Sequence, residues 1–226
     1  MSGVSPSLNP IITIDGPAAS GKSSVSREIA KNKGWNWVST GAFYRGLALA
    51  SIKAGIDPEN EGALVELARS SSWSVEMTAE KTMVFIDGAD VTDEINSEKT
   101  GSVASKVSQH PGVRAALLQP QRDCALVPPG LVAEGRDCGT VIFPEAHLKV
   151  YLTADSENRA KRRAMEQGLE LDQTVKDQQE RDERDAKRST APMQVPENAL
   201  VIDTSKMDFA AVLAKVQEAV AETFPG

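Results

Sequence analysis

A short apolar segment followed by a glycine-rich loop constrains this chain more than any other feature. Residues 11–14 read Ile-Ile-Thr-Ile, a β-branched run typical of a strand buried on both faces. Residues 16–23 match G-x-x-x-x-G-K-[ST], and the apolar spacing after Ser23 predicts a helix that stops at Gly34. A strand, a glycine-rich loop and a helix in this order predict a phosphate-binding loop.

The loop contains the residue types that phosphate binding requires. Gly16 and Gly21 leave room for backbone N–H groups to approach a polyphosphate and permit unusual backbone angles. The start of the following helix carries partial positive charge, Lys22 adds a mobile cation, and the Ser23 hydroxyl suits Mg²⁺. We therefore expect a nucleoside triphosphate here, although the loop alone does not distinguish a kinase, a GTPase and an ATP-driven machine. The residues expected to bind the triphosphate are Gly16, Pro17, Ala18, Ala19, Ser20, Gly21, Lys22, Ser23 and Ser24.

Composition argues against several other classes. The 226 residues are 40% hydrophobic and carry a net charge of −7, whereas nucleic-acid binders usually show a basic face. Cys124 and Cys138 form no C-x-x-C pair, and His110 and His147 stand apart, so neither a disulfide framework nor a zinc site is indicated. No apolar run approaches the ~20 residues that span a bilayer. Residues 1–10 lack the features of a signal peptide, and we expect a disordered tail on a cytoplasmic protein.

Strand-like and helical segments alternate along most of the chain, which predicts an α/β core. Further short apolar strands are expected at 35–39, 131–133, 147–152 and 199–202. By contrast, residues 73–77 and 82–86 alternate polar and apolar side chains around a short loop, as antiparallel hairpins do. We therefore expect a core at 11–59 and 126–226, interrupted by an inserted lobe at 60–125.

Polar residues at two further element ends suggest contacts with anionic groups. Tyr44 and Arg45 begin a helix after a strand and can hold a second phosphate, although a surface arginine beside a half-buried tyrosine explains them equally well. Glu134, Arg136 and Asp137 follow the strand at 131–133, and ligands in open α/β sheets bind beyond the carboxyl ends of strands. These three can respectively orient a water of Mg²⁺, hold a phosphate and accept hydrogen bonds from a base or sugar; a strand-end ion pair is the alternative.

Two arginine-rich helical segments flank Gly168. Residues 155–166 include Arg159 and Arg162, and residues 172–187 are highly charged. Such charge runs usually form a solvated face. They also suit a lid, at about 155–188, that closes over a polyphosphate.

Taken together and in this order, these motifs resemble bacterial cytidylate kinases over nearly the whole chain from Ile11. The phosphate loop occurs in many families, but its combination with TGAFYR at 40–45, the hairpin lobe, EGRD at 134–137, ERDERD at 180–185 and the later Arg188 is specific. The resemblance implies one domain at 11–226 with a P-loop NMP-kinase-like, three-layer α/β fold. Its expected parts are a central parallel five-stranded sheet, an inserted NMP-binding lobe with a small antiparallel sheet, and a helical lid.

The resemblance also implies an activity, transfer of the γ-phosphoryl group of ATP–Mg²⁺ to CMP or dCMP by a monomer in pyrimidine nucleotide metabolism. By position, cytosine would be read by Ser105 and Arg114, which spacing alone would place on the surface, together with Asp137. The residues implied for CMP binding are Thr40, Tyr44, Arg45, Ser105, Arg114, Arg136, Asp137, Arg181, Asp185 and Arg188. Those implied for catalysis are Lys22, Arg136, Asp137, Arg159, Arg162 and Arg188, and those implied for the metal are Ser23 and, through water, Glu134.

Three positions depart from the family pattern. Ala18 stands where some members have a serine that touches the acceptor phosphate, Ser39 replaces a frequent aspartate, and Glu134 is one methylene longer than the usual aspartate. A P-loop kinase for another small acceptor, such as a different nucleotide or shikimate, remains an alternative. A GTP-binding switch would need an Asn-Lys-x-Asp guanine reader, which the sequence lacks, and a non-catalytic nucleotide-binding module is a third possibility.

Overall fold

The structure is a computed structural model that describes residues 9–167, 175 and 193–225. Most of the predicted tail, the second half of the predicted lid, and the predicted ligands Arg181, Asp185 and Arg188 lie outside the described residues. The strands are β1 (Ile11–Asp15), β2 (Asn36–Ser39), β3 (Trp73–Met77), β4 (Thr82–Ile86), β5 (Ala89–Asp90), β6 (Leu131–Gly135), β7 (Leu148–Thr153) and β8 (Leu200–Asp203). The α-helices are α1 (Lys22–Lys33), α2 (Gly41–Lys53), α3 (Glu61–Arg69), α4 (Glu98–Val107), α5 (Pro111–Asp123), α6 (Ser156–Gln167) and α7 (Phe209–Thr223).

The predicted parallel sheet is confirmed, with five strands in the order β2-β6-β1-β7-β8. Strand β1 lies at its centre, and Asp15 is opposite Gly135 of β6 and Tyr151 of β7. Because all five strands are parallel, their carboxyl ends meet at one edge of the sheet. The phosphate loop after β1, the segment 134–137 and Thr40 after β2 are therefore brought together.

Helices cover both faces of this sheet, as the three-layer expectation requires. On one face, Ile12 and Ile14 of β1 pack with Ile29 of α1 and Val216 of α7. On the other face, Ile11 joins a second apolar cluster that contains residues of α2 and α5. Side chains alternate between faces along a strand, so Glu134 points to the α1 face while Asp15 points to the opposite one.

The predicted hairpin has the bounds that its alternation indicated, since β3 and β4 pair antiparallel. The sequence interpretation of residues 87–90 as a turn alone was wrong. Asp87 and Gly88 both have positive φ, 49° and 80°, as in a tight two-residue hairpin turn. Ala89–Asp90 is therefore free to pair with β4 as a third strand.

The lobe and the sheet share one hydrophobic core. The rings of Phe43 in α2 and Trp73 in β3 meet edge to face, with centroids 6.5 Å apart. Gly46 of α2 allows this approach, because a Cβ atom there would lie 2.9 Å from Val84 Cγ1. The lobe boundaries at 60 and 125 remain a prediction. None of the described helices is long and apolar enough to cross a membrane.

Candidate active site

The phosphate loop has the backbone geometry that its glycines predicted. A Cβ atom at Gly16 would collide with the Leu152 carbonyl oxygen of β7. Gly21, the N-cap of α1, has φ 88°, and no side chain caps the first N–H groups of that helix. Ala19 also lies in the left-handed region, with φ 57°, which an alanine rarely adopts. The loop thus leaves the uncapped end of α1 open to an anion.

Glu134 connects the phosphate loop to the end of β6. Ser23 Oγ donates to Glu134 Oε1 at 3.0 Å, and Lys22 Nζ lies 3.9 Å from Glu134 Oε2. Lys22 also donates to the carbonyl oxygen of Pro17 at 3.2 Å. The extra methylene of Glu134 therefore does not prevent its carboxylate from reaching Ser23. A hydroxyl and a carboxylate are ligands that suit Mg²⁺, although the described residues contain no cluster of three or more metal-ligating His, Cys, Asp or Glu side chains.

A cavity of about 430 Å³ lies beyond the carboxyl ends of β1, β2 and β6. It is bounded by the phosphate loop, the start of α2, the lobe and the segment 134–137. The predicted site residues in its wall are Ala18, Ala19, Lys22, Ser23, Thr40, Tyr44, Arg45, Ser105, Glu134, Arg136 and Asp137, and Ser39 lies there too. The structure thus places these donor and acceptor residues around a single space, whereas the predicted site residues Arg114, Arg159 and Arg162 are not in its wall.

A buried ion pair joins Asp137, in the wall of this cavity, to Arg114 of α5, which is not itself in the wall. Arg114 Nη2 donates to Asp137 Oδ2, and the two residues are only 8% and 5% exposed. The Arg114 guanidinium lies over the Tyr44 ring, 5.4 Å from its centroid. In the part of the chain that the structure describes, Arg114 Nη1 and Ser105 Oγ are buried without a hydrogen-bond partner. Because an unpaired buried donor costs ~1–3 kcal/mol, these atoms indicate a polar ligand. The surface interpretation of Ser105 and Arg114 from spacing alone was wrong.

The residues predicted to hold the acceptor phosphate surround the same space but differ in their contacts. Arg45 Nη1 donates to the Ile95 carbonyl oxygen at 2.9 Å, which ties α2 to the lobe. Arg136 Nη1 lies 3.6 Å from the sulfur of Met193. Thr40 Oγ1 donates to the Glu134 carbonyl oxygen at 3.0 Å, so this hydroxyl also braces the end of β6.

Arg159 and Arg162 extend from α6 toward the donor side. Arg159 Nη1 donates to the Ala18 carbonyl oxygen of the phosphate loop at 3.4 Å. Arg162 instead donates twice to Thr204, through Nη1 to Oγ1 at 3.0 Å and through Nη2 to the carbonyl oxygen at 2.7 Å. Arg159 is thus joined to the loop itself, while Arg162 lies beside it.

A second cavity of about 600 Å³ lies beside α1, and the sequence analysis missed it. Its wall includes Ser20 and Gly21 of the phosphate loop, Arg162, and residues after β8 such as Thr204 and Phe209. A signal was available, because residues 204–209 follow a parallel strand and so lie at the ligand-binding edge of the sheet. This space adjoins the phosphate loop on the side away from the lobe.

Asp15 is a further residue that the sequence analysis did not assign. It is 0% exposed, and its carboxylate accepts the N–H groups of Cys138 at 2.9 Å and Gly139 at 2.7 Å. Burial raises its pKa to about 6. Burial, together with nearby Asp15 and Asp137, raises the pKa of the Cys138 thiol well above its usual value, so this cysteine is not a reactive nucleophile.

Both histidines contact backbone groups, and we interpret them as structural residues. His147 Nδ1 accepts the Ile11 N–H at 3.2 Å, and His110 Nε2 lies 2.8 Å from the Pro58 carbonyl oxygen. Neither residue lines the cavity beyond β1, β2 and β6.

Comparisons with known proteins agree with the geometry. A family model described as cytidylate kinase matches residues 12–222. The cytidylate kinase of Bdellovibrio bacteriovorus is 58% identical over 210 residues, which cover 93% of this chain and 97% of that protein. The cytidylate kinase of Nitrosomonas eutropha is 43% identical, with 92% of each chain covered. A crystal structure of an uncharacterized protein from Eubacterium ventriosum shares the fold, with a TM-score of 0.53, 12% identity, and 94% of this chain and 98% of that chain covered.

Proposed function

The chain belongs to the cytidylate kinase family, and on that basis we propose that it transfers the γ-phosphoryl group of ATP to CMP or dCMP, giving ADP and CDP or dCDP. One observation carries this proposal beyond family membership. The wall of the cavity next to the phosphate loop contains Asp137, which forms a buried pair with Arg114, and Ser105, whose hydroxyl has no hydrogen-bond partner among the described residues. Neither a shikimate kinase nor a GTP-binding switch is favoured.

The polar groups in this cavity suit cytosine. Asp137 can accept a hydrogen bond from an exocyclic amine, while Arg114 Nη1 and Ser105 Oγ can donate to ring and carbonyl acceptors. Uracil carries an oxygen where cytosine carries the amine, so its binding would place two acceptors against each other. A site built from buried polar groups rejects such an analogue strongly, because its own groups are then left unpaired.

Phosphoryl transfer needs positioning and charge stabilisation more than covalent help from the protein. The attacking oxygen of CMP belongs to a phosphate anion, so no general base is required. The chief obstacle is repulsion between two polyanions, which Lys22, Arg45, Arg136 and Arg159 offset. Losing one preorganised donor of this kind typically costs ~3 kcal/mol in the transition state. We also place the nucleoside of ATP in the second cavity, beside Thr204.

The metal site of this proposal consists of Ser23 Oγ and the Glu134 carboxylate, whose oxygens lie 3.0 Å apart. Mg²⁺ held by these residues would neutralise negative charge on the phosphates of ATP. Glu134 holds the Ser23 hydroxyl in place, and Lys22 supplies a second positive group on the same side of the loop.

We further propose that the protein acts as a monomer in the cytoplasm on small molecules alone, without nucleic acid. A single chain supplies both sides of the cavity, and both cysteines are free thiols, as expected in a reducing compartment. Sedimentation equilibrium at several protein concentrations tests whether the protein is a monomer.

Coupled ADP release with ATP–Mg²⁺ and each of CMP, dCMP, UMP, AMP, GMP and shikimate tests the function. We expect strong turnover with CMP and dCMP only. Arg114→Met should abolish the preference for CMP over UMP. Arg69→Met, which alters an exposed arginine of α3, is the matched control and should leave it unchanged. Turnover with a different acceptor, or with none, would contradict the proposal.

A further inference from the structure

Asp15 lies between the two halves of the proposed site, although it lines neither cavity. It immediately precedes Gly16 of the phosphate loop, and its side chain is wholly buried on the face of β1 opposite α1. The carboxylate uses both oxygens: Oδ1 accepts the Cys138 N–H and Oδ2 accepts the Gly139 N–H. These bonds cross from β1 to the segment that directly follows Asp137.

The two N–H groups begin a single helical turn, Cys138–Ile142. Its N-cap residue is Asp137, a residue type that ordinarily caps its own helix by accepting the N–H of the second or third helical residue, here Gly139 or Thr140. Here the Asp137 side chain makes no capping bond and is directed to Arg114 instead. Asp15 thus performs the capping from a neighbouring strand, which leaves the Asp137 carboxylate available for the cavity.

Other contacts also hold the segment 135–139 against the phosphate loop and its neighbours. Gly16 N donates to the Gly135 carbonyl oxygen at 3.2 Å, so the phosphate loop and the end of β6 are also joined through the backbone. A Cβ atom at Gly139 would lie 2.9 Å from Thr13 Oγ1 and 3.0 Å from Pro196 Cγ, which shows how closely the turn is seated. A displaced turn would therefore move Asp137 relative to the phosphate loop.

We propose that Asp15 is a positioning residue, which fixes the segment 136–139 against the phosphate loop and releases the Asp137 carboxylate to bind the acceptor base. This inference rests on the proposed function, since it gives Asp137 a base-reading role. The raised pKa of Asp15 supports this inference. It shows that burying the carboxylate costs stability, so the residue has a use besides stability. The groups that face Asp15 and share in its titration are the Asp137 carboxylate and the Cys138 thiol.

Asp15→Asn tests the role, because an amide can accept from one N–H but turns its own N–H₂ group toward the other. We expect the KM for CMP to rise about tenfold or more, while the KM for ATP changes by less than about twofold. The matched control is Ser26→Ala, in α1 on the opposite face of the sheet, which removes a buried hydroxyl without a partner among the described residues. This control should leave both KM values within about twofold of wild type.

A double-mutant cycle with Asp137→Ala separates positioning from general damage. If Asp15 acts through Asp137, Asp15→Asn should add little to the loss of CMP affinity in the Asp137→Ala background. Additive losses, an unchanged KM for CMP, an equal rise in both KM values, or an equal effect of Ser26→Ala would overturn the inference. Should Asp15→Asn fail to fold, Asp15→Ser replaces it, and failure of both to fold would also overturn it. Wild-type protein that does not turn over CMP would instead refute the proposed function.

Discussion

Replacing Asp15 with asparagine should change how the stability of the protein depends on pH. The ordinary carboxyl pKa is 3.8, and burial raises that of folded Asp15 to about 6. The folded state therefore binds the proton of the Asp15 carboxyl group more tightly than the unfolded state does. The stability contributed by this proton is complete below pH 3.8 and is lost as pH rises through about 6. Each pKa unit corresponds to ~1.4 kcal/mol, so the loss amounts to ~3 kcal/mol.

Urea denaturation of the wild type and of Asp15→Asn, at half-unit steps from pH 4 to pH 8, measures this loss. Asparagine does not titrate, so the free energy of unfolding of the variant relative to wild type should rise by ~3 kcal/mol across this range. Groups that titrate alike in both proteins cancel in the difference, and Ser26→Ala should remain parallel to wild type. If the free energies of unfolding of Asp15→Asn and wild type differ by an amount that stays constant within ~0.5 kcal/mol from pH 4 to pH 8, Asp15 is not the group that titrates.

Three further expectations follow from the geometry, and a fourth, for Arg188, follows from the family resemblance. Ala19→Gly should raise the free energy of unfolding by ~1 kcal/mol, because glycine tolerates φ 57°; a lower value in urea denaturation would contradict it. Glu134→Gln should raise the Mg²⁺ concentration for half-maximal rate about tenfold, as the charge beside Ser23 is lost, and an unchanged Mg²⁺ titration would exclude this role. Asp137→Ala should raise the KM for CMP far more than that for ATP, and equal rises would count against base reading. Arg188→Ala should weaken acceptor-phosphate binding, and unchanged KM and kcat for CMP would remove Arg188 from the site.

Periodicity predicted the elements well where one face of each is buried by its neighbours. Alternation placed the hairpin at its observed bounds, and the apolar runs at 11–14 and 131–133 lie in the central strands β1 and β6. The small strand at 89–90 was missed because two residues carry no periodic signal. The proximity of the phosphate loop and the EGRD segment was predictable, because both segments follow parallel strands of one sheet.

Contacts between distant segments could not be predicted from local patterns. Arg114 and Asp137 are 23 residues apart, and only the packing of α5 against the end of β6 buries them as a pair. Asp15 was likewise overlooked, since its partners Cys138 and Gly139 are more than 120 residues away. The second cavity could not be predicted from local patterns either, because it depends on where the segment after β8 lies in the fold. Spacing had suggested the surface for Ser105 and Arg114, but both are buried, and Ser105 lies in the cavity wall, as the family resemblance implied for a base-reading residue.

The central position of β1 also has a consequence for biosynthesis. Among the described strands, β1 pairs with β6 and β7 alone, so these partners are translated after more than 100 further residues. Until then the apolar strand Ile11–Asp15 has no sheet to join, and the collision that makes Gly16 obligatory, with the Leu152 carbonyl oxygen, does not yet exist. Contacts so distant in sequence form slowly, and exposed apolar strands attract other chains. A nascent chain that ends before β7 should therefore be unable to bind triphosphate and should depend on chaperones to remain unaggregated.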